Sequence, residues 1–405
     1  MAAQNATIST LNAALKTRWT QKKISTLLYS DCPLLGLIPK DTKFGGKNRV
    51  IAVRYAGQQG RSQAFSTALN NRTSSQQVAF TLTRQHDYAI GGMDGETVRA
   101  SKGEENSLID GIDSEMDTCM SSLKRSLCVG IYGNGGGSIG QVNGTAPAAQ
   151  QFVLTDQSQI VNFEVGQTIE ASSTDGTSGA RRGAPDQAVV SAVDRDTGTV
   201  TYTGAITGFA ANDYLFIQDD FALKITGLGA WVPKVAPTNT PFFGVDRTPD
   251  KTRLGGIRYP DNAGGAIEET LLKFSARAYQ HNSNPESVFM NPTNFEQLVL
   301  ALGSKTIYVN SKSPDMPSVG YEGVKIAGQN GNMKVYSDPS CPIGLAYALQ
   351  LDTWTLASLG AAPGFLEEDG FAILRDSAAD AYLWRLGYYA QMYTNAPGKN
   401  AVITL

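Results

Sequence analysis

The chain has 405 residues, 41% hydrophobic and 18% charged, which is enough for two or three domains and unlike a disordered composition. A net charge of −3, from 34 Lys and Arg against 37 Asp and Glu, removes any global electrostatic case for nucleic-acid binding, so DNA contact must be local. No apolar run approaches the roughly 18–20 residues that span a bilayer, and no basic segment leads into an apolar core, so synthesis in the cytoplasm is expected without a secretory signal. Four scattered cysteines (Cys32, Cys119, Cys128, Cys341) suit neither a disulfide framework nor a zinc site and read as reduced, mostly buried thiols. The 42 glycines imply many turns and sheet corners, hence a mixed fold with much β.

Residues 1–44 open with Ile8, Leu11, Leu15 and Trp19 on one helical face, then break at Ser30–Pro33 and Ile38–Pro39. Lys16, Arg18, Lys22, Lys23 and Lys40 outweigh Asp31, so this is an amphipathic basic arm, either solvated or touching a partner. Residues 45–100 hold two strand-like runs, Val50–Tyr55 and Val78–Thr83, the second alternating cleanly at Val78, Phe80 and Leu82. The stretch between them, Ala56–Gln77, is polar. A hairpin arm of some 15 residues reaches on the order of 50 Å. An isolated two-stranded ribbon is marginal in water, so something outside the hairpin must cover it. From Lys43 to His86 there are seven Lys and Arg and no acid, whereas Asp94–Asp117 carries eight acids against Arg99 and Lys102. Opposite-sign segments steer association, although each exposed pair contributes only ~0.2–1 kcal/mol.

Residues 101–150 contain the best-defined helix. Ser101–Glu104 fits a capping box, and Leu108, Ile112, Met116, Met120, Leu123 and Leu127 form one apolar stripe. Cys119 and Cys128 project to opposite sides of it, which forbids a shared metal. The helix stops in Gly130–Gly137, read as a flexible turn. Residues 151–222, rich in Thr, Ser, Gly and Val, predict five short strands and a small inserted β-barrel. Residues 223–350 mix helix and strand: a stripe at Ile267, Leu271, Phe274 and Ala278, the strand Ser287–Met290, an Asn291 N-cap with Pro292 behind it, and Gly303 as C-cap. Residues 351–405 are mainly strand, with Tyr382, Trp384, Leu386, Tyr388, Ala390 and Met392 in one long half-buried run.

Chemistry is sparse. Gly136–Gly140 matches the spacing of a nucleophile elbow around Ser138, and Gly135–Gly140 that of a dinucleotide loop. Both motifs require a strand leading into a helix, and here a helix precedes the glycines. A serine hydrolase also needs a base, and the only histidines are His86, placed on the hairpin, and His281, at a helix end. Acid pairs such as Glu268–Glu269 and Asp219–Asp220 point apart along their elements. No phosphate loop, paired-histidine zinc motif or calcium loop occurs, so no catalytic, cofactor or metal residue is assigned.

The order of elements resembles the major capsid proteins of tailed bacteriophages, an α+β Hong Kong 97-like fold with N-terminal arm, extended β-hairpin loop, long spine helix and, departing from the pattern, an inserted small β-barrel. The stretches that carry the likeness are Ser30–Lys40 leading to Phe44–Gly46, Val288–Pro292, and Gly364–Gly370 followed by Ala379–Trp384. The resemblance implies a self-assembling shell around a phage genome: an arm at 1–44, an extended loop at 45–100, a spine helix at 101–150, an inserted domain at 151–222, an axial domain at 223–350 and peripheral strands at 351–405. It places the cover of the hairpin on a neighbouring subunit. The implied partners are copies of the chain in hexamers and pentamers, scaffolding, portal and decoration proteins, and packaged double-stranded DNA held by weak non-specific contact, with no membrane. The scaffolding protein is expected to be separate, since no long region precedes the arm. Charge alone pairs Arg54, Arg61, Arg72 and Arg84 with Glu104, Glu105, Asp110 and Asp113 of the next subunit. Three other readings are a nanocompartment shell of the same fold with enzyme cargo, a hydrolase using Ser138, and a carbohydrate-binding module in the barrel.

Overall fold

A computed structural model describes residues 32–100, 105–260, 265–302, 324–329, 331–366, 371 and 373–405, with 98–100 and 105–114 as backbone only. The helix expected around Ile8–Trp19, the capping box at Ser101–Glu104 and the C-cap Gly303 lie outside these residues. Helix α1 (Pro33–Leu37) begins with its proline in the first turn, and β1 (Lys40–Asp41) pairs in parallel with Leu356 and Ala357. Leu34, Ile38 and Phe44 are buried in the main core, so the end of the expected arm is a packed anchor.

The ribbon consists of β2 (Asn48–Ala56), a short helix α2 (Phe65–Asn70) near its tip, and β3 (Gln76–Thr83). Its strands form a two-stranded sheet of their own, in register from Asn48–Thr83 to Arg54–Gln77. Period-2 alternation puts Ile51, Val53, Val78, Phe80 and Leu82 on one face, and Phe80 and Leu82 are fully buried. Phe80 meets Trp231 and Phe242 at ring separations of 5.1 and 6.2 Å, and the Thr81 amide donates to the Phe243 carbonyl at 3.0 Å. Arg253 Nη1 donates to the Tyr55 carbonyl at 2.6 Å. The cover required by the stem therefore comes from residues 231–253 of the same chain, not from a neighbour.

The ribbon ends at Thr83, short of the expected boundary at 100. Strand β4 (Gln85–Asp94) leaves it and pairs antiparallel with Ala381–Ala390, which carries His86 off the hairpin and sets it opposite Tyr389. After α3 (Gly95–Ala100), helix α4 (Glu105–Tyr132) packs against β4 and its partner strand. Leu123, Leu127 and Ile131 are buried along its stripe, and Met116 and Met120 pack partly into it. Gly91 makes the approach possible: a Cβ there would sit 2.2 Å from Trp384 Nε1 and 2.8 Å from Cys119 Sγ.

The inserted domain is a closed barrel. Its strands, β5 (Gly140–Gln141), β6 (Gln151–Val153), β7 (Thr168–Ser172), β8 (Ala188–Asp194), β9 (Thr199–Gly204) and β10 (Tyr214–Ile217), run in the order β5-β10-β7-β8-β9-β6, and a Val142–Leu154 bridge completes the ring. It begins about ten residues before the expected 151 and has a sixth strand. Phe152, Phe163, Ile169, Val200 and Leu215 form a core separate from the rest of the molecule. The glycine run leading into it is not a flexible turn. A Cβ on Gly136 would lie 2.0 Å from the Asp175 carbonyl, and one on Gly137 2.4 Å from that of Asp220, so bare backbone is needed for the chains to cross in contact.

The chain returns through α5 (Leu228–Trp231) to the axial domain: β11 (Ile257–Tyr259), α6 (Ile267–Gln280), β12 (Ser287–Met290), α7 (Pro292–Leu302), β13 (Val324–Gly328), β14 (Gly331–Ser337) and β15 (Leu345–Leu349). The expected cap is present, with the Thr293 amide donating to Asn291 Oδ1 at 3.0 Å. Strands β16 (Trp354–Ser358), β17 (Gly364–Phe365), β18 (Ile373–Arg375) and β19 (Ala381–Thr394) complete the sheet under α4. The last strand, β20 (Ala401–Thr404), crosses back to lie between β11 and β15, so the C-terminal segment serves both sheets. Cys128 and Cys341 are buried, Cys32 and Cys119 half-buried, all as free thiols, and no metal-ligating cluster occurs among the described residues.

Candidate assembly surface

The ribbon brings together three of the basic residues picked out by charge. Arg54 stands on its outer face and Arg61 and Arg72 near its tip; all three are exposed, without an ion pair among the described residues. Arg84 is different. It donates to the Phe44 carbonyl and holds its guanidinium 5.2 Å from the Phe44 ring, so it pins the base of the ribbon to its own subunit. Of the acidic set, Glu104 lies outside the described residues, and Glu105, Asp110 and Asp113 fall on the part of α4 described as backbone only.

Between Arg61 and Arg72, the short helix α2 exposes two apolar side chains in the stretch that the sequence reading passed over as polar linker. Phe65 is 83% exposed and Leu69 47%; Val50, opposite Thr81 nearer the base of the ribbon, is 60% exposed on the outer face of β2. Phe65 and Leu69 stand four residues apart on one side of a six-residue helix, which is too short to persist without packing. That i, i+4 spacing is the signal that would have found them. Clustered exposed apolar groups with basic neighbours mark an interaction surface.

Where the spine helix, the sheet and the barrel's return strand meet, Lys224 Nζ lies 2.6 Å from Asp87 Oδ2, 2.9 Å from Asp220 Oδ2 and 3.0 Å from Ser126 Oγ. The Ser126 hydroxyl donates to Asp87 at 2.6 Å, and Tyr388 donates to the same oxygen at 3.3 Å. Burial pushes the Asp220 carboxyl up to about 6, against the opposing pull of Lys224. A second buried carboxylate, Asp338, joins three parts of the fold. It accepts from Tyr132 Oη at 2.8 Å, from the Leu34 amide at 3.4 Å and, through its other oxygen, from the Ser340 amide at 2.9 Å; burial raises its pKa as well. Both clusters fasten elements to one another.

Beside the first cluster is a cavity of about 390 Å³ between α4 and the barrel, lined by Arg125, Val129, Ser138, Val161, Gln167 and Lys224. Ser138 donates to the Gly140 carbonyl at 3.2 Å, and its glycines join a helix to a strand, the reverse of a nucleophile elbow. The histidines are elsewhere: His86 stacks beside Tyr88 and Tyr389 on the sheet, and His281 ends α6. Among the described residues no helix is long and apolar enough to cross a membrane.

No protein-family model matches the sequence, and no curated protein matches it. Solved structures do. A capsid chain from the asymmetric unit of cyanophage A-1(L) superposes with a TM-score of 0.55 at 13% identity, covering 98% of each chain. A capsid chain of a native GTA particle gives a TM-score of 0.50 at 10% identity, covering 100% of this chain and 99% of the other. The likeness covers nearly the whole of each chain, and the chain therefore has the Hong Kong 97-like α+β capsid fold.

Proposed function

We propose that the chain is the major capsid protein of a tailed bacteriophage and that its copies assemble, as hexamers and pentamers, into the icosahedral head that encloses the genome. The observation that carries this reading is the ribbon: anchored on its own body at the stem, it presents Phe65 and Leu69 with Arg61 and Arg72 at a tip that no described residue of the subunit covers, and Val50 and Arg54 on its outer face. A neighbouring copy completes that surface, and the acidic start of the neighbour's spine helix (Glu104, Glu105, Asp110, Asp113) is the complement that charge favours. Many weak contacts of this kind add through multivalency, because each arriving subunit meets several others at once. Scaffolding, portal and decoration proteins are the further partners of such a shell. DNA contact is weak and non-specific, in keeping with a subunit of net charge −3.

The test is negative-stain imaging of the purified protein, expressed with and without neighbouring phage genes, with the contents of any particles analysed. Closed shells filled with DNA support the reading; shells filled with an enzyme make the chain a nanocompartment protein, and a protein that stays monomeric under all conditions overturns both. Reversing Arg54, Arg61 and Arg72 to Glu is expected to impair assembly while leaving the subunit folded.

A further inference from the structure

We infer that Cys32 and Cys128 are a redox pair, able to close a disulfide that staples the anchor at residues 32–44 to the spine helix; the inference goes beyond the capsid reading and does not depend on it. Cys32 is the N-cap of α1, yet its side chain makes no capping hydrogen bond and packs instead against the main core. There its thiol donates to Asp338 Oδ2 at 3.7 Å and is hydrogen-bonded with the thiol of Cys128. Helix periodicity accounts for the meeting. Cys128 stands one turn before Tyr132 on the same face of α4, and Tyr132 Oη donates to that same carboxylate oxygen at 2.8 Å. Asp338 thus draws α1 and the last turns of α4 to one point, and the two sulfurs meet beside it. The other two thiols are committed elsewhere. Cys341 Sγ is buried and 3.7 Å from both the Phe289 and Leu345 carbonyls, and Cys119, on the opposite face of α4, lies beside Gly91.

Exposure sets the order of events. Cys32 is half-buried and Cys128 only 3% exposed, so an oxidant of the small-disulfide class reaches Cys32 first. The Cys32 sulfur attacks the oxidant's S–S bond, forming a mixed disulfide and releasing one small thiol; Cys128 then attacks the Cys32 sulfur and expels the second. The protein thiols lose two electrons and two protons, which the oxidant's two sulfurs take up. The hydrogen bond with Cys128, burial and the Asp338 carboxylate all raise the pKa of Cys32, so its thiolate is scarce at neutral pH. The pair therefore stays reduced in a reducing cytoplasm and oxidises slowly outside it. The loop so closed spans about a hundred residues and contains the whole ribbon, and a cross-link of that span removes much entropy from the unfolded chain.

The test holds the full-length purified protein folded in neutral buffer with oxidised glutathione, then alkylates, digests and maps it by mass spectrometry. The expected product is a single Cys32–Cys128 linkage that disappears on reduction and raises the midpoint of denaturant unfolding. Cys32→Ser and Cys128→Ser, each checked for folding by circular dichroism, should lose both the linkage and the rise. Both thiols left free, glutathione retained on Cys32, or a linkage that forms only in denaturant would overturn the pairing; a linkage that leaves the midpoint unchanged would overturn its role as a staple. Shell formation is read separately by imaging, so failure of the pairing and failure of the capsid reading are distinguishable.

Discussion

The barrel and the ribbon are both built from short β-strands, yet they treat strand edges and apolar faces in opposite ways. The barrel closes its sheet through Val142 and Leu154 and buries its own core, so it needs nothing from outside. The ribbon has two strands only. Its inner face is covered by Trp231, Phe242 and Phe243, and beyond that cover its tip holds Phe65 in solvent. A closed sheet is complete as a subunit, whereas an open ribbon leaves apolar groups at its tip exposed among the described residues, which is the ground for the proposed contact with another copy. Within the ribbon the same division separates stem from tip, and substitutions should sort accordingly.

The largest effect on the subunit should come from Phe80→Ala, which empties a fully buried site against Trp231 and is expected to destabilise by about 3–5 kcal/mol in denaturant unfolding. A loss below about 1 kcal/mol would mean that the stem is not packed on its own body. Next is Asp220→Asn. A carboxyl whose folded pKa, about 6, lies above its unfolded value near 3.8 binds its proton more tightly when folded, so it penalises the fold at high pH and the penalty fades as pH falls through 6. The variant should therefore be more stable than the parent above about pH 6.5, by up to about 3 kcal/mol, with the gain gone below about pH 4. Equal stability across that window would contradict the burial argument. Gly136→Ala, which drives a Cβ against the Asp175 carbonyl, should cost about 1–3 kcal/mol and loosen the barrel's attachment, read as faster proteolysis between barrel and body. Phe65→Ser should be the smallest on the isolated subunit, within about ±0.5 kcal/mol, while lowering the yield of assembled particles.

Local pattern carried much of this fold. The apolar stripe of the spine helix from Met116 onward, the Asn291–Pro292 cap, the alternation of Val78, Phe80 and Leu82 and the long strand through Trp384 and Tyr388 each depend on near neighbours in sequence, and each is present. What pattern could not reveal were long-range meetings. Nothing within β3 states that Phe80 will rest on Trp231, about 150 residues onward, and nothing around Gly136 states that Asp175 will pass within contact of it. The departure of β4 from the ribbon and the return of β20 to the axial sheet are also matters of pairing partner, which β-propensity does not encode. On the ribbon, Arg54, Arg61 and Arg72, exposed and without an ion pair among the described residues, were picked out by charge as candidates. Arg84 was not separable from them until Phe44 was seen beneath it. Phe65 and Leu69 were hidden by polar surroundings, although their spacing was there to be read.

The central claim is that the tip of the ribbon is completed by another copy of the chain. Its most direct test is sedimentation and negative-stain imaging of the full-length protein beside a Phe65→Ser, Leu69→Ser double variant, both under conditions that yield particles. The account predicts closed shells from the parent and folded, unassembled subunits from the variant, with matching unfolding curves for the two subunits. Normal shells from the variant would contradict it.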